Sequence, residues 1–222
     1  MKSHHKNYLF IFCIALIALL IAFFLNTETT SSEAPPIPIK KPLHLTSGTA
    51  LPEPRALPHF NLTDSNNKLF SNKQLNNNWS FLFFGYTQCE GICPATLGKL
   101  NEMAALIGPA SMAHFIFITI DPERDTVDHL KNYFSQSQFK NAHFLGATGN
   151  HSDIRALATT IGLFVSQENI PINGHIEHSG TVLLINPDGK LAAIFSTTNN
   201  PPAMARDFRA LMHKYHQGSG AA

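Results

Sequence analysis

The chain has 222 residues, a hydrophobic fraction of 44% and a formal net charge of +1. That length carries one compact domain with residues to spare, and that apolar share supports a normal core. A near-neutral chain with no strongly acidic or basic tail excludes a nucleic-acid partner held by bulk electrostatics.

The first predicted element is apolar. Tyr8 to Leu25 (YLFIFCIALIALLIAFFL) runs without a charge or polar break. Its length meets the threshold for a spanning helix. A cleaved signal peptide is the rival, but its apolar region usually runs about 7–15 residues and ends at a small-x-small site. The best such match here, Ser32-Glu33-Ala34, is followed by Pro35. The expectation is therefore an uncleaved transmembrane anchor over residues 1–25, with Cys13 a small hydrophobe inside it. Lys2 and Lys6 precede the run, and Glu28 follows it. The positive-inside rule then puts the remainder outside the cytoplasm, which for a bacterium means the inner membrane and its periplasmic face. Residues 26–58 are rich in Thr, Ser and Pro and read as an extended tether. The globular domain is expected over 59–222.

Within that domain, HFNLTDSNNKLFS from His59 reads as a β-hairpin, with Phe60 and Leu62 in one arm and Leu69 and Phe70 in the other. Trp79 to Tyr86 is a near-continuous apolar run, the pattern of a strand buried on both faces. Pro94 to Ile107 has helical spacing, with Pro94 suited to the first helical position and Gly108-Pro109 as the stop. His114 to Ile120 predicts a second buried strand and Thr126 to Phe134 a helix. Asn141 to Leu145 predicts a short strand, and His151 to Ile161 another helix. Thr181 to Ile185 and Leu191 to Phe195 flank Asn186-Pro187-Asp188-Gly189, a strong turn signal. A helix over Pro201 to Tyr215 ends the series. The order gives an α/β domain. A cysteine pair between the first core strand and its helix is the thioredoxin-like layout, a central sheet flanked by helices.

That pair, Cys89 and Cys93 in FFGYTQCEGICPATL, carries the chemistry. Two thiols so close can exchange electrons as a disulfide or hold a soft metal. A purely structural bridge is disfavoured, because so short a loop removes little unfolded-state entropy. With Pro94 opening the helix, Cys93 would sit at its cap, where N–H groups and the dipole favour a thiolate. Positions four apart share a helical face, so both sulfurs can converge. They would do so outside the C-terminal edge of the sheet, where open α/β sheets place ligands. His178, just before a predicted strand, is by itself an ordinary histidine.

Three segments in order, FFGYTQCEGICPATL, IDPERDTVDHLKNY and IEHSGTVLLINPDGK, resemble the SCO/SenC family of membrane-anchored copper proteins. The resemblance runs from about Phe60 to the C-terminus. It implies a thioredoxin-like fold with an added N-terminal hairpin. It implies copper ligation by Cys89, Cys93 and His178. It also implies delivery of copper to the dinuclear site of a cytochrome c oxidase subunit, or maintenance of that subunit's thiols, with an upstream copper donor. The chain departs from the family between the cysteines, where Glu-Gly-Ile replaces the commoner Pro and Asp. Glu90 would thereby add a carboxylate that tends to raise the thiol pKa values.

The donor chemistry agrees with that resemblance. Two thiolates and an imidazole suit copper(I), and copper(II) with one further ligand. Zinc would require a fourth ligand, for which His175 is the candidate. DPERD, from Asp121 to Asp125, reads as a strand-ending turn. Asp125 and Asp128 would then favour the start of the next helix, Asp121 would be a group near the site, and Tyr86 would pack beside it. The alternative function is a thiol-disulfide oxidoreductase acting on exported proteins, with Cys89 and Cys93 as its redox pair. Against it, thioredoxin-type reductants carry two residues between the cysteines and a proline where this chain has Glu177-His178-Ser179. A peroxidase is disfavoured for want of any recognisable motif.

Overall fold

The computed structural model describes residues 15–23, 43–163, 180–196 and 200–219. The chain divides into two compact units, Met1–Lys40 and Lys41–Ala222. In the first, α1 (residues 15–23) is helical, wholly apolar in sequence and exposed throughout. Among the described residues no helix is long and apolar enough to cross a membrane. The expected span of 8–25 lies only partly within them, and Cys13 lies outside.

The second unit is built on one eight-stranded mixed sheet of order β1-β8-β7-β4-β5-β6-β2-β3. Its strands are β1 (Gly48–Ala56), β2 (Asn61–Asp64), β3 (Leu69–Ser71), β4 (Ser80–Gly85), β5 (His114–Thr119), β6 (Leu145–Thr148), β7 (Val182–Ile185) and β8 (Lys190–Phe195). The helices are α2 (Ile92–Ile107), α3 (Val127–Phe134), α4 (His151–Thr160) and α5 (Pro201–Ser219). β4, β5 and β6 run parallel, and β7 joins β4 antiparallel. The central strands show why the apolar runs are continuous. Phe81, Phe83, Phe115 and Phe117 enter one core with Leu97, Leu100, Leu130 and Phe208 from α2, α3 and α5. Leu82, Phe84, Ile116 and Ile118 enter the other with Ile154 and Leu157 of α4 and Phe60, Leu62 and Phe70 of the hairpin. Alternate residues thus face opposite layers, and both layers are apolar and buried. This is the thioredoxin-like arrangement that the sequence predicts, hairpin included.

Two boundaries differ from the sequence reading. The stretch read as tether supplies β1, which pairs antiparallel with β8 at the sheet edge. Pro52 and Pro54 fall where the register shifts between Ala50 and Arg55. An edge strand tolerates proline there, because the missing N–H faces no neighbour. The strand expected over 141–145 begins instead at Leu145. Before it, the Asn141 and Ala142 N–H groups donate to Asn101 Oδ1 at 3.0 and 3.1 Å, and His143 takes a positive φ of 45°. That turn holds the segment out of the ladder.

Asp207 of α5 secures the entry into β1. Its carboxylate accepts from the Thr46 N–H at 3.0 Å, the Ser47 N–H at 2.6 Å and the Ser47 hydroxyl at 2.7 Å. Ser47 and Asp207 are both buried, so the two Ser47 donors have no ready replacement for this carboxylate. Replacing Asp207 by Ala is expected to cost about 2–3 kcal/mol. Urea unfolding would measure this, and limited proteolysis should show new cleavage just before β1.

Candidate metal and thiol site

The site lies where β4 ends. After Gly85 the chain turns, with the Cys89 N–H donating to the Tyr86 carbonyl at 3.2 Å. α2 then starts at Ile92 with Gly91 as its cap. The helix therefore begins two residues earlier than Pro94, and Cys93 lies inside its first turn rather than at the cap. Cys93 is buried in the first core, while Cys89 is half-buried and touches both cores. Both stand as thiols.

Gly85 makes this packing possible. A Cβ there would stand 2.8 Å from the Cys93 sulfur and 3.0 Å from the Phe117 ring. Real side-chain atoms do not approach so closely, so only glycine lets the helix start sit against the strand end. The sequence carries a signal for this, a glycine closing an otherwise bulky strand.

The two thiols differ in acidity. Burial alone pushes the Cys89 thiol up, but several hydrogen bonds outweigh it. The backbone N–H groups of Cys93 and Gly91, the Cys93 thiol and the Tyr86 hydroxyl all favour the Cys89 thiolate, and the net shift is downward. Burial pushes Cys93 strongly upward. The Tyr86 backbone opposes this, while Cys89 and the Asp125 charge reinforce it. The sequence assigned the favoured thiolate to Cys93 at a cap. Instead the N–H groups of the first turn serve Cys89, and Cys93 keeps its proton. Glu90 is exposed and is no cause of either shift.

DPERD does more than end a strand. Asp125, wholly buried, does not serve the helix start, where Thr126 is the cap and Asp128 the first-turn acid. Its carboxylate accepts from the Thr87 N–H at 3.0 Å, from the Thr87 hydroxyl, and from the Thr119 hydroxyl at 2.7 Å. The single Thr87 proton goes to the carboxylate, so His129 Nε2, 2.9 Å from that hydroxyl, must be the donor in their contact. Asp121 pairs with Arg124, whose guanidinium donates to Gln88 Oε1 at 2.8 Å and lies 6.0 Å from the centre of the Tyr86 ring. DPERD thus grips Tyr86, Thr87 and Gln88, the residues just before Cys89. Tyr133 of α3 is near enough that burial first, and then the negative charges of the site, those of Asp125 and Cys89 among them, raise its phenol pKa. The sequence placed Asp125 at the helix start and missed this role, because a buried carboxylate has no periodic signature.

Cys89, Cys93 and Tyr86 are brought together as the sequence suggested. His178 and His175 lie outside the described residues. Among the described residues, no group of three or more His, Cys, Asp or Glu side chains is arranged to hold a metal ion.

A thioredoxin-like domain with a Cys-x-x-x-Cys pair at its strand-to-helix turn is one class of protein. The particular family follows from comparison. The SCO1/SenC family model matches residues 49–213, and the chain belongs to that family. A protein of Stutzerimonas stutzeri, named as a candidate copper-binding protein, is 40% identical over 145 residues, 64% of this chain and 69% of the relative. The structure of Bradyrhizobium japonicum ScoI with copper bound is 30% identical, with a TM-score of 0.61, covering 70% of this chain and 99% of that one. The solution structures of apo Sco1 from Thermus thermophilus are 28% identical, with a TM-score of 0.64, covering 76% and 98%.

If Asp125 positions the cysteine loop, Asp125→Ala leaves the buried Thr119 hydroxyl and the Thr87 N–H without their acceptor. A loss of about 3 kcal/mol is expected. Hydrogen exchange should quicken at least tenfold from Thr87 to Ile92 while β8 keeps its protection. Uniform quickening would instead mean a merely global effect.

Proposed function

We propose that this chain is a copper chaperone that takes copper(I) on Cys89, Cys93 and His178. It passes the ion to the dinuclear copper site of a cytochrome c oxidase subunit, or keeps that subunit's thiols reduced. The observation that carries this reading is the neighbouring pair of unlike thiols beyond the C-terminal end of β4, in a chain of the SCO1/SenC family. Copper bound to the 30%-identical Bradyrhizobium protein supports it.

The chemistry follows from the two sulfurs. Cys89, half-exposed and inclined to the thiolate, meets the incoming ion first. Cys93 gives up its proton only on ligation, so loading releases protons and weakens as pH falls. Two soft sulfurs with one imidazole leave an open position through which a partner's ligand can enter. The topology is compatible with His178 as third donor. β7 runs antiparallel to β4 with Val182 opposite Phe83, so Gly180 lies near the strand end that carries the cysteines. His178 is two residues upstream, a chain reach of at most about 7 Å.

The wholly apolar, exposed helix at 15–23 supports a membrane anchor, with Lys2 and Lys6 orienting it so that the domain faces the periplasm. The residues between it and Leu43 serve as spacer.

The oxidoreductase reading keeps one observation in its favour. A half-buried thiol of lowered pKa beside a buried one of raised pKa suits attack on a substrate disulfide followed by resolution. Copper affinity separates the two readings. In the reduced full chain, competition against a copper(I) chelator should show that Cys89→Ser and Cys93→Ser abolish tight binding. His178→Ala should weaken it by about tenfold or more, 1.4 kcal/mol. Unchanged affinity in His178→Ala would contradict the three-ligand site. Disulfide turnover with no copper affinity would favour the reductase.

A further inference from the structure

The far end of the sheet carries donors that the cysteine site does not use. A cavity of about 910 Å³ opens there, and Met112, His114 and His143 all line it. Chain neighbours bring the two histidines to one rim. β5 and β6 run parallel with Ile116 opposite Leu145, and the Phe115 and Phe144 rings meet at 5.9 Å. His114 opens β5 directly before Phe115, and His143 stands on the turn directly before Phe144. Met112 is two residues before His114. All three side chains are exposed at the cavity.

Met112 and His143 hold φ values of 49° and 45° because each closes a tight turn. The Met112 N–H donates to the Pro109 carbonyl at 3.1 Å, and the His143 N–H to the Phe139 carbonyl at 3.2 Å. The two turns thus set both side chains at the cavity.

The donors select a ligand class. Two imidazoles and a thioether are neutral and borderline to soft, a set suited to copper(I). No carboxylate lines the cavity, and Lys140 does, so a hard divalent cation finds no compensating charge. Phe70, Ile107 and Leu145 supply apolar wall. We propose that Met112, His114 and His143 form a second, cysteine-free copper(I) site at the N-terminal end of β5. Cys89 and Cys93 follow the C-terminal end of the neighbouring parallel strand. Six residues of β5 separate the two ends, about 20 Å, so one ion cannot be shared. The chain then holds two ions independently, and the second site suits reception or storage of copper rather than its delivery by thiol exchange.

The test is copper(I) titration of the reduced full chain against a chromophoric chelator, which removes loosely held metal. The wild type should bind a second, weaker equivalent. His114→Ala and His143→Asn should each lose it; asparagine tolerates the positive φ, so that backbone is spared. Met112→Leu should weaken it about tenfold. The Cys89→Ser/Cys93→Ser double variant should still bind one equivalent, and that equivalent should vanish when His114→Ala is added. Saturation of the wild type at one ion, or a second ion indifferent to His114→Ala and His143→Asn, overturns the proposal. Loss of the first equivalent alone bears on the cysteine site and leaves this one standing. If the double variant fails to fold, imidazole NMR signals of the wild type decide. Shifts of His114 and His143 on adding the second equivalent support the site, and their absence refutes it.

Discussion

The close approach of Cys93 to Gly85 is the contact on which the rest depends. A helix start can press against the end of a buried strand only where that strand has no side chain. With that approach made, the first-turn N–H groups of α2 and the Tyr86 hydroxyl gather around Cys89, and Cys93 is sealed in the core. Remove the approach and the two sulfurs lose their common setting. The aromatic layers around Phe81, Phe83 and Phe117 form the rigid bed against which it is made.

A loop carrying a functional cysteine must also be held from its other side. Asp125 does this by charge. A buried carboxylate is costly unless its oxygens are well supplied with donors. Here two threonine hydroxyls and a backbone N–H supply them, and in doing so they tie the end of β5 to the residues before Cys89. Arg124 adds an outer strap to Gln88. The thiols are thus framed by a packed strand end beneath and a polar clamp beside. Such framing presents two donors together to an ion or a substrate disulfide, while hydrogen bonds from the helix start lower the Cys89 pKa and burial raises that of Cys93.

Much of this was legible in the sequence. The double-sided apolar runs of β4 and β5, the hairpin, the helices and the turn at Asn186 to Gly189 follow from local pattern, because their periodicity mirrors their burial. The cysteine pair was legible from composition and spacing. What escaped were features decided by tertiary contact. β1 was hidden because its prolines suit a tether and an edge strand equally well. The acidity of the two thiols was misassigned because a shift of two residues in the helix start moves the N–H groups from one sulfur to the other. Asp125 was read as a helix-start acid because sequence gives no direction to a side chain. His178 was legible only through family resemblance, and it lies outside the described residues.

The inequality of the two sulfurs can be measured directly. Iodoacetamide labelling of the reduced full chain, followed by mass spectrometry across a pH series, reads each thiolate separately. A lowered pKa means that the thiolate, and with it the labelling rate, reaches its plateau at lower pH. Cys89 should therefore label first, with a midpoint below the value of about 8.5 for a free thiol. Cys93 should stay unlabelled until the domain unfolds. Labelling of Cys93 before Cys89, or of both at one rate with one midpoint, would contradict the account.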